Sequence, residues 1–299
     1  MRELKLGLAL GAGGTKGAAH VGVLQVLESV GITPDAVAGT SIGALYGGCY
    51  AVGSSAHEMA DGIRTCPHHD VLAFFRHRLK IRHANRLARR FYSVLAGHNI
   101  EDLPVRFAAT ASDMRELRQV AIDRGPLIDA IEASIAIPVL ARPVAHQGRM
   151  MLDGGVWDCA PVDAAHDLGA DVIVAVHLGR PIALPERLHT PAHWLARRLD
   201  KLPLHWTAAG VPFSIRAFTA PACPGRTADL VIRPKLRRSL FGLSPLPQCE
   251  YLDAGIDAAQ RALPAIRALL AGESPAEVAR EFMPRPVLAP ETSGLATAT

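Results

Sequence analysis

Two units of the same kind follow one another at the start of the chain. Each is an apolar segment that ends in a glycine-rich turn and continues with apolar residues at helical spacing: residues 4–10, 11–17 and 18–28, then 36–38, 39–43 and 44–51. Consecutive units of this kind form neighbouring parallel strands joined by right-handed crossovers. We therefore predict that both turns lie at the carboxyl ends of strands, the edge where open α/β sheets bind ligands.

The same alternation continues towards the C-terminus. Further strands are predicted at 105–111, 120–122, 149–152, 171–178 and 230–234, and further helices at 127–137, 161–170 and 251–270. We predict an open, mostly parallel sheet with helices on both faces, in three α/β/α layers, within one domain of residues 1–283. Residues 180–226 are rich in proline and arginine and are interpreted as a lid or entrance region, and residues 284–299 as a disordered tail.

The composition narrows the class of protein and the compartment. With 49% hydrophobic residues the 299-residue chain can bury a large core, and a net charge of +4 is too weak to indicate nucleic acid. The five cysteines form no C-x-x-C pair, and the first residues mix acid and base, unlike a signal peptide. We therefore expect a cytoplasmic protein, one that could meet the inner face of the membrane peripherally.

One segment is long and apolar enough to raise the question of a membrane span. Residues 36–56 contain no charged side chain over 21 positions. Five glycines and the turn at 39–43 argue against a span, because a turn exposed to lipid would leave backbone groups without hydrogen bonds. A strand and a helix buried in the core are the preferred interpretation.

The second turn contains a candidate nucleophile, Ser41, in the pattern Gly39-x-Ser41-x-Gly43. Small residues on both sides allow a sharp strand-to-helix turn that exposes the hydroxyl group. A serine nucleophile needs donors for the oxyanion that forms, and the backbone N–H groups of Gly13 and Gly14 at a helix N-terminus suit that role. The same loop could hold a phosphate instead, but it lacks the G-x-G-x-x-G spacing of a dinucleotide site.

The general base has two kinds of candidate. A triad would use His166 or His177, which follow Ser41 in the chain but lie within a predicted helix and an apolar strand, where structural histidines are common. The alternative is Asp153, which follows a short strand and precedes Gly154 and Gly155. A carboxylate that accepts directly from Ser41 in a dry site would form a two-residue unit.

Taken in order, the glycine-rich loop, the serine turn and the Asp-Gly-Gly motif resemble the patatin-like phospholipase family, especially its short bacterial members. The motif residues besides Ser41 and Asp153 are Gly13, Gly14, Thr15, Lys16, Gly17, Gly39, Gly43, Gly154 and Gly155. The similarity extends through Ala133-Ser134-x-Ala136-x-Pro138 and the strand near 169–173, so it covers residues 5–270. Ala12 departs from the first glycine of the family's loop.

The resemblance implies a catalytic dyad of Ser41 and Asp153, an oxyanion hole at Gly13 and Gly14, and hydrolysis of lipid acyl esters through an acyl-serine, without a cofactor. A catalytically weak protein that binds lipid or a regulatory partner through the same cleft is the alternative. Residues 76–90 carry seven Lys/Arg and no acid, which fits either a helix that contacts anionic lipid headgroups or a solvated helix face.

Two histidine groups have spacings that occur in metal sites. They are His68-His69-Asp70 and the pair His189 and His193. Each has too few ligands nearby, so we predict a surface loop or helix face at both places and no metal.

Overall fold

An eight-stranded sheet lies at the centre of the fold in the computed structural model, which describes residues 4–67, 69–71, 74, 86–116, 118–137, 141–156, 160–179, 226–236 and 247–282. The strands are β1 (Leu6–Leu10), β2 (Ala36–Thr40), β3 (Arg106–Asp113), β4 (Arg118–Ile122), β5 (Val144–His146), β6 (Arg149–Asp153), β7 (Val172–Val176) and β8 (Leu230–Ile232). The helices are α1 (Ala18–Ser29), α2 (Ile42–Val52), α3 (Ala56–Thr65), α4 (Arg86–Leu95), α5 (Leu127–Ser134), α6 (Val162–Asp167), α7 (Gln248–Leu270) and α8 (Pro275–Phe282).

The sheet is mixed and mostly parallel, in the order β5-β6-β3-β2-β1-β7-β8, with β4 also paired to β3. Strands β3, β2, β1, β7 and β8 are mutually parallel, whereas β4, β5 and β6 run antiparallel to their neighbours. Strand β1 pairs with both β2 and β7, so the glycine-rich loop that follows it lies in the middle of the carboxyl edge. This confirms the predicted fold class.

The two faces of the sheet differ in the size of their side chains. Large residues of the central strands, such as Leu8 and Phe107, pack with the helices α1, α2, α3, α5 and α7 in the main core. The opposite face presents mainly alanine, including Ala9, Ala38 and Ala108, and packs against α6. Small side chains on that face allow the short helix α6 to lie close to the strands, so helices cover both faces as predicted.

The pairing of β3 brings the ends of two other strands together. Strand β2 pairs in parallel with the first part of β3, up to the pair Thr40 and Thr110, while β6 pairs antiparallel with the last part and ends at the pair Asp153 and Ala111. Strand β4 pairs with β3 over residues that overlap both, so it occupies the other edge. Strands β2 and β6 therefore share one edge of β3, and their carboxyl ends meet at adjacent residues.

The predicted elements agree with the structure in kind, with shifted ends. Helix α5 stops at Ser134 instead of continuing to 137, and the carbonyl of Ala136 accepts from the Asp153 N–H at 3.0 Å. Residues 36–56 form β2, α2 and the start of α3, and within the described ranges no helix is long and apolar enough to cross a membrane. Helices α3 and α8 and strand β5 were not predicted.

Several predictions fall on parts of the chain outside the described residues. The lid prediction falls on 180–225, and the tail prediction on 284–299, so both stay predictions. The boundary of a single domain at 283 also stays a prediction.

Candidate active site

Ser41 lies at a sharp turn between β2 and α2, with backbone angles φ 57° and ψ −121°. A side chain other than glycine in this region costs roughly 1–3 kcal/mol and persists only where its surroundings fix it. Gly43 allows the turn, because a Cβ atom there would lie 2.1 Å from the Leu10 carbonyl oxygen at the end of β1. The strained turn holds the Ser41 hydroxyl at the edge of the sheet.

Asp153 is the last residue of β6. It lies next to Ser41, because β2 and β6 end at adjacent residues of β3. The Ser41 hydroxyl donates to Asp153 Oδ2 at 2.5 Å, and each of the two residues is 5% exposed. The other carboxylate oxygen, Oδ1, accepts from the Gly155 N–H at 2.8 Å. A short turn of 3-10 helix, Gly154–Val156, begins here, and a Cβ atom on Gly154 would lie 2.4 Å from the Thr110 carbonyl oxygen.

The surroundings make the carboxyl group of Asp153 more basic than usual. Burial raises the pKa of Asp153 to about 6, although the hydrogen bonds from Ser41 and from the Gly155 N–H act in the opposite direction. At neutral pH the group is therefore ionised but close to the pH at which it takes up a proton. This is the condition under which a carboxylate works well as a general base.

Ser134, at the end of α5, holds the backbone of the turn at Ser41. Its hydroxyl donates to the Thr110 carbonyl at 2.7 Å and accepts from the Ser41 N–H at 2.8 Å. Ser134 is fully buried, so this pair of bonds leaves the Ser41 N–H satisfied away from water. The sequence placed Ser134 in a family motif but did not indicate this contact.

The glycine-rich loop lies beside the Ser41 turn and the Asp-Gly-Gly segment. Gly13 precedes a turn of 3-10 helix, Gly14–Gly17, which leads into α1, and Gly14 has a φ of +59°. In the described part of the chain, no group accepts a hydrogen bond from the backbone N–H of Gly13 or Gly14. Free N–H groups at a helix N-terminus provide a site for a negatively charged oxygen.

The three motifs are in contact with one another. A Cβ atom on Gly17 would lie 2.1 Å from Ile42 Cγ1, directly after Ser41, and one on Gly155 would lie 2.7 Å from the Ala12 Cβ. Thr15 and Lys16 are buried, and Lys16 Nζ donates to the Leu178 carbonyl at 2.9 Å. The methyl group of Ala12, where the family has glycine, therefore fits because its neighbour is Gly155.

A buried histidine, His20, supports the glycine-rich loop, although the sequence analysis did not identify it as a site residue. His20 Nε2 donates to the Gly11 carbonyl at 2.7 Å, and the residue is fully buried in α1. Burial lowers the pKa of His20 to about 4, against a smaller opposing effect of the bond to Gly11, so the ring is neutral at physiological pH. A neutral ring with its proton on Nε2 fixes the start of the glycine-rich loop.

The other histidine candidates do not join the site. His166 contacts Arg226 and lies 3.9 Å from Asp167, and His177 Nδ1 accepts from the Gly179 N–H at 3.0 Å. Neither forms a hydrogen bond with Ser41 in the ranges that the structure covers. His69 lies 3.8 Å from Asp70, and no group of three possible metal ligands occurs among the described residues. His68, His189 and His193 lie outside those residues.

The basic segment 76–90 is described only from Arg86 onwards, as the start of α4. Ala88 is buried and Leu87 and Phe91 pack against the core, whereas Arg86 and Arg89 are exposed. The apolar side of this part of the helix is thus covered by protein and its basic side faces solvent. Contact between this segment and an anionic membrane stays a prediction.

Fold and site together define a class of protein: a three-layer α/β protein with a serine at a strand-to-helix turn and a carboxylate in direct contact with its hydroxyl. Residues 8–166, more than half of the chain, match the patatin-like phospholipase family. The chain belongs to this family, and the glycine-rich loop, Ser41 and Asp153 all lie within the matched region.

Individual relatives match over shorter stretches. An uncharacterized NTE family protein of Mycobacterium tuberculosis is 35% identical over 199 residues, which is 64% of this chain and 55% of that protein. Lysophospholipase nte1 of Aspergillus fumigatus is 32% identical over 181 residues, 58% of this chain and 12% of the fungal protein. The aligned stretches thus span about half of the mycobacterial relative and about an eighth of the fungal one.

A solved structure shows the same fold. VipD from Legionella pneumophila superposes with a TM-score of 0.50 and 14% sequence identity, over 88% of this chain and 67% of VipD. This likeness concerns the fold alone.

Proposed function

We propose that this protein is a serine-dependent hydrolase of lipid acyl esters. The observation that carries the proposal is the 2.5 Å hydrogen bond from Ser41 Oγ to the buried carboxylate of Asp153. Membership of the patatin-like phospholipase family and the similarity to a fungal protein named lysophospholipase support the substrate class.

In the proposed reaction, Asp153 accepts the hydroxyl proton while Ser41 Oγ bonds to the acyl carbonyl carbon. The N–H groups of Gly13 and Gly14 hold the resulting oxyanion, and the positive end of α2, which begins at Ile42, adds to its stabilisation. The intermediate collapses when the alcohol leaves with the proton from Asp153, which produces an acyl-serine. Water then attacks this ester with Asp153 again as the base, and free acid and Ser41 are released.

The strained turn contributes by fixing the nucleophile before substrate binds. The backbone at Ser41 is held by Ser134 and by the hydrogen bond of 2.7 Å between the hydroxyl groups of Thr40 and Thr110. Because the hydroxyl already contacts its base, little reorganisation is needed at the moment of reaction.

Labelling of Ser41 tests the proposal. A fluorophosphonate probe should modify wild-type protein at Ser41, and Ser41→Ala should lose both labelling and turnover across a panel of phospholipids, lysophospholipids, acylglycerols and short acyl esters. Ser29→Ala is a matched control, because the Ser29 hydroxyl donates to the Val26 carbonyl within α1 and lies outside the three motifs. Undiminished turnover in Ser41→Ala would refute the proposal; vesicle binding without serine-dependent hydrolysis would favour a binding protein instead.

A further inference from the structure

A cavity lies between α2, α3 and α4, apart from Ser41 and Asp153. Its volume is about 350 Å³, and its walls are mainly apolar, with Tyr46, Met59, Ile63 and Phe91 among them. Neither Ser41 nor Asp153 lines it. A volume of this size falls in the range of small-molecule sites, which are apolar with a few polar groups that orient the ligand.

A positively charged residue, Arg90, lines the same cavity. The guanidinium group of Arg90 lies over Gly62 of α3, since a Cβ atom there would lie 2.8 Å from Arg90 Nη2. A planar guanidinium group suits a carboxylate. The one acidic residue among the described lining residues is Glu58, whose carboxylate caps α3 by accepting from the Ser55 N–H at 3.4 Å.

The volume sets the length of the ligand. A cavity of about 150 Å³ holds the six carbons of benzene, or roughly 25 Å³ per carbon. At that rate 350 Å³ holds roughly 14 non-hydrogen atoms, which is the number in a saturated fatty acid of twelve carbons.

We propose that this cavity is a binding site for a medium-chain fatty acid, separate from the Ser41–Asp153 site. The alkyl chain lies among Tyr46, Met59, Ile63 and Phe91, and the carboxylate accepts hydrogen bonds from the guanidinium group of Arg90. The site requires no hydrolysis at Ser41, so it can be tested whether or not the proposed reaction takes place.

Titration calorimetry with dodecanoate, below its micelle concentration, tests the site. Arg90→Met keeps an unbranched apolar side chain but removes the guanidinium group, and it should weaken dodecanoate binding roughly tenfold. Dodecanol, which lacks the carboxylate, should bind both proteins within about threefold of one another. Dodecyltrimethylammonium, with a cationic head next to Arg90, should bind more weakly than dodecanoate.

A second variant and a chemical readout locate the ligand. Met59→Trp fills the cavity and should reduce dodecanoate affinity at least roughly tenfold. Cys49 and Cys66 also line the cavity, whereas Cys249 does not. In wild-type protein, dodecanoate should therefore slow alkylation of Cys66, read by mass spectrometry, and leave the rate at Cys249 as the internal reference. This measurement needs no substitution to fold.

The outcomes separate this site from the dyad. Equal dodecanoate affinity in Ser41→Ala and wild-type protein, with Cys66 protected in both, is the expected result. Loss of binding after fluorophosphonate labelling of Ser41, or no protection of Cys66 at saturating dodecanoate, would overturn the proposal. So would unchanged dodecanoate affinity in folded Arg90→Met and Met59→Trp proteins.

Discussion

Replacing Asp153 with asparagine should make the protein more stable at neutral pH while it removes activity. The folded protein carries an ionised carboxyl group that burial disfavours, because its pKa is raised from the ordinary 3.8 to about 6. At 1.36 kcal/mol per pKa unit, this difference corresponds to about 3 kcal/mol of lost stability. Asparagine removes the charge, and its Oδ1 can still accept from the Gly155 N–H.

The effect has a definite dependence on pH. Between about pH 4 and pH 6 the folded wild-type protein holds a proton on Asp153 that the unfolded chain has released, so its free energy of unfolding falls as pH rises through this window. The asparagine side chain does not titrate in this pH range, so it adds no such pH dependence to the free energy of unfolding. The advantage of Asp153→Asn should therefore be full at pH 8, where it amounts to roughly 6 °C in Tm, and should disappear below about pH 4.

Thermal or urea unfolding at several pH values measures this difference, with mass spectrometry to confirm that the new Asn-Gly pair has not deamidated. Asp113→Asn is a control with the opposite sign. Burial alone would raise the pKa of Asp113, but hydrogen bonds from the Glu116 and Arg115 N–H groups and from Arg149 hold it below its usual range. That variant should be least stable, relative to wild type, at neutral pH. A Tm of Asp153→Asn below wild type at pH 8 would contradict the reasoning.

Three further predictions follow from the same geometry. Protonation of Asp153 should lower kcat/KM roughly tenfold per pH unit below about pH 6, and a pH profile with a short acyl ester measures this. Ser134→Ala leaves the buried Ser41 N–H without its acceptor, so it should cost about 1–3 kcal/mol in unfolding free energy and lower kcat. His20→Leu should lower kcat roughly tenfold with little change in KM, while His20→Gln, which can still donate to Gly11, should recover part of the loss.

The fold could be predicted because the apolar periodicity and the glycine turns both indicate the same units. The run 171–178 is nearly all apolar, and it forms the buried strand β7 beside β1. Helix α3 was missed because its apolar positions are few: Ala56, Ala60 and Ile63 are its only buried residues. The sequence feature that indicates α3 is the capping box of Ser55 and Glu58, which a search for apolar periodicity does not detect.

The motif residues of the site could be named from sequence, but their supports could not. The motifs contain Ser41 and Asp153, and the structure places them in contact. Ser134 accepts a hydrogen bond from the Ser41 N–H, and His20 donates one to the Gly11 carbonyl. No sequence pattern predicts either bond. The cavity beside α4 likewise depends on how three helices pack, which spacing along the chain does not determine.

The contact between Ser41 and Asp153 depends on the register of β6 against β3. Asp153 pairs with Ala111, next to the Thr110 that pairs with the end of β2. A shift of two residues would move Asp153 by about 7 Å, and a shift of one would turn its side chain to the other face. Either change would break the 2.5 Å hydrogen bond.

Three hydrogen bonds to the backbone of Asp153 and Gly154 oppose such a shift. The Ser112 hydroxyl donates to the Asp153 carbonyl at 2.7 Å, the Ala136 carbonyl accepts from the Asp153 N–H at 3.0 Å, and the Gly154 carbonyl accepts from Gln119 Nε2 at 3.1 Å. All three act on Asp153 or on the residue that follows it, where β6 ends. The distance between the Ser41 hydroxyl and the Asp153 carboxylate is therefore fixed by strand pairing along β3, which explains how two residues 112 positions apart in the chain form a hydrogen bond.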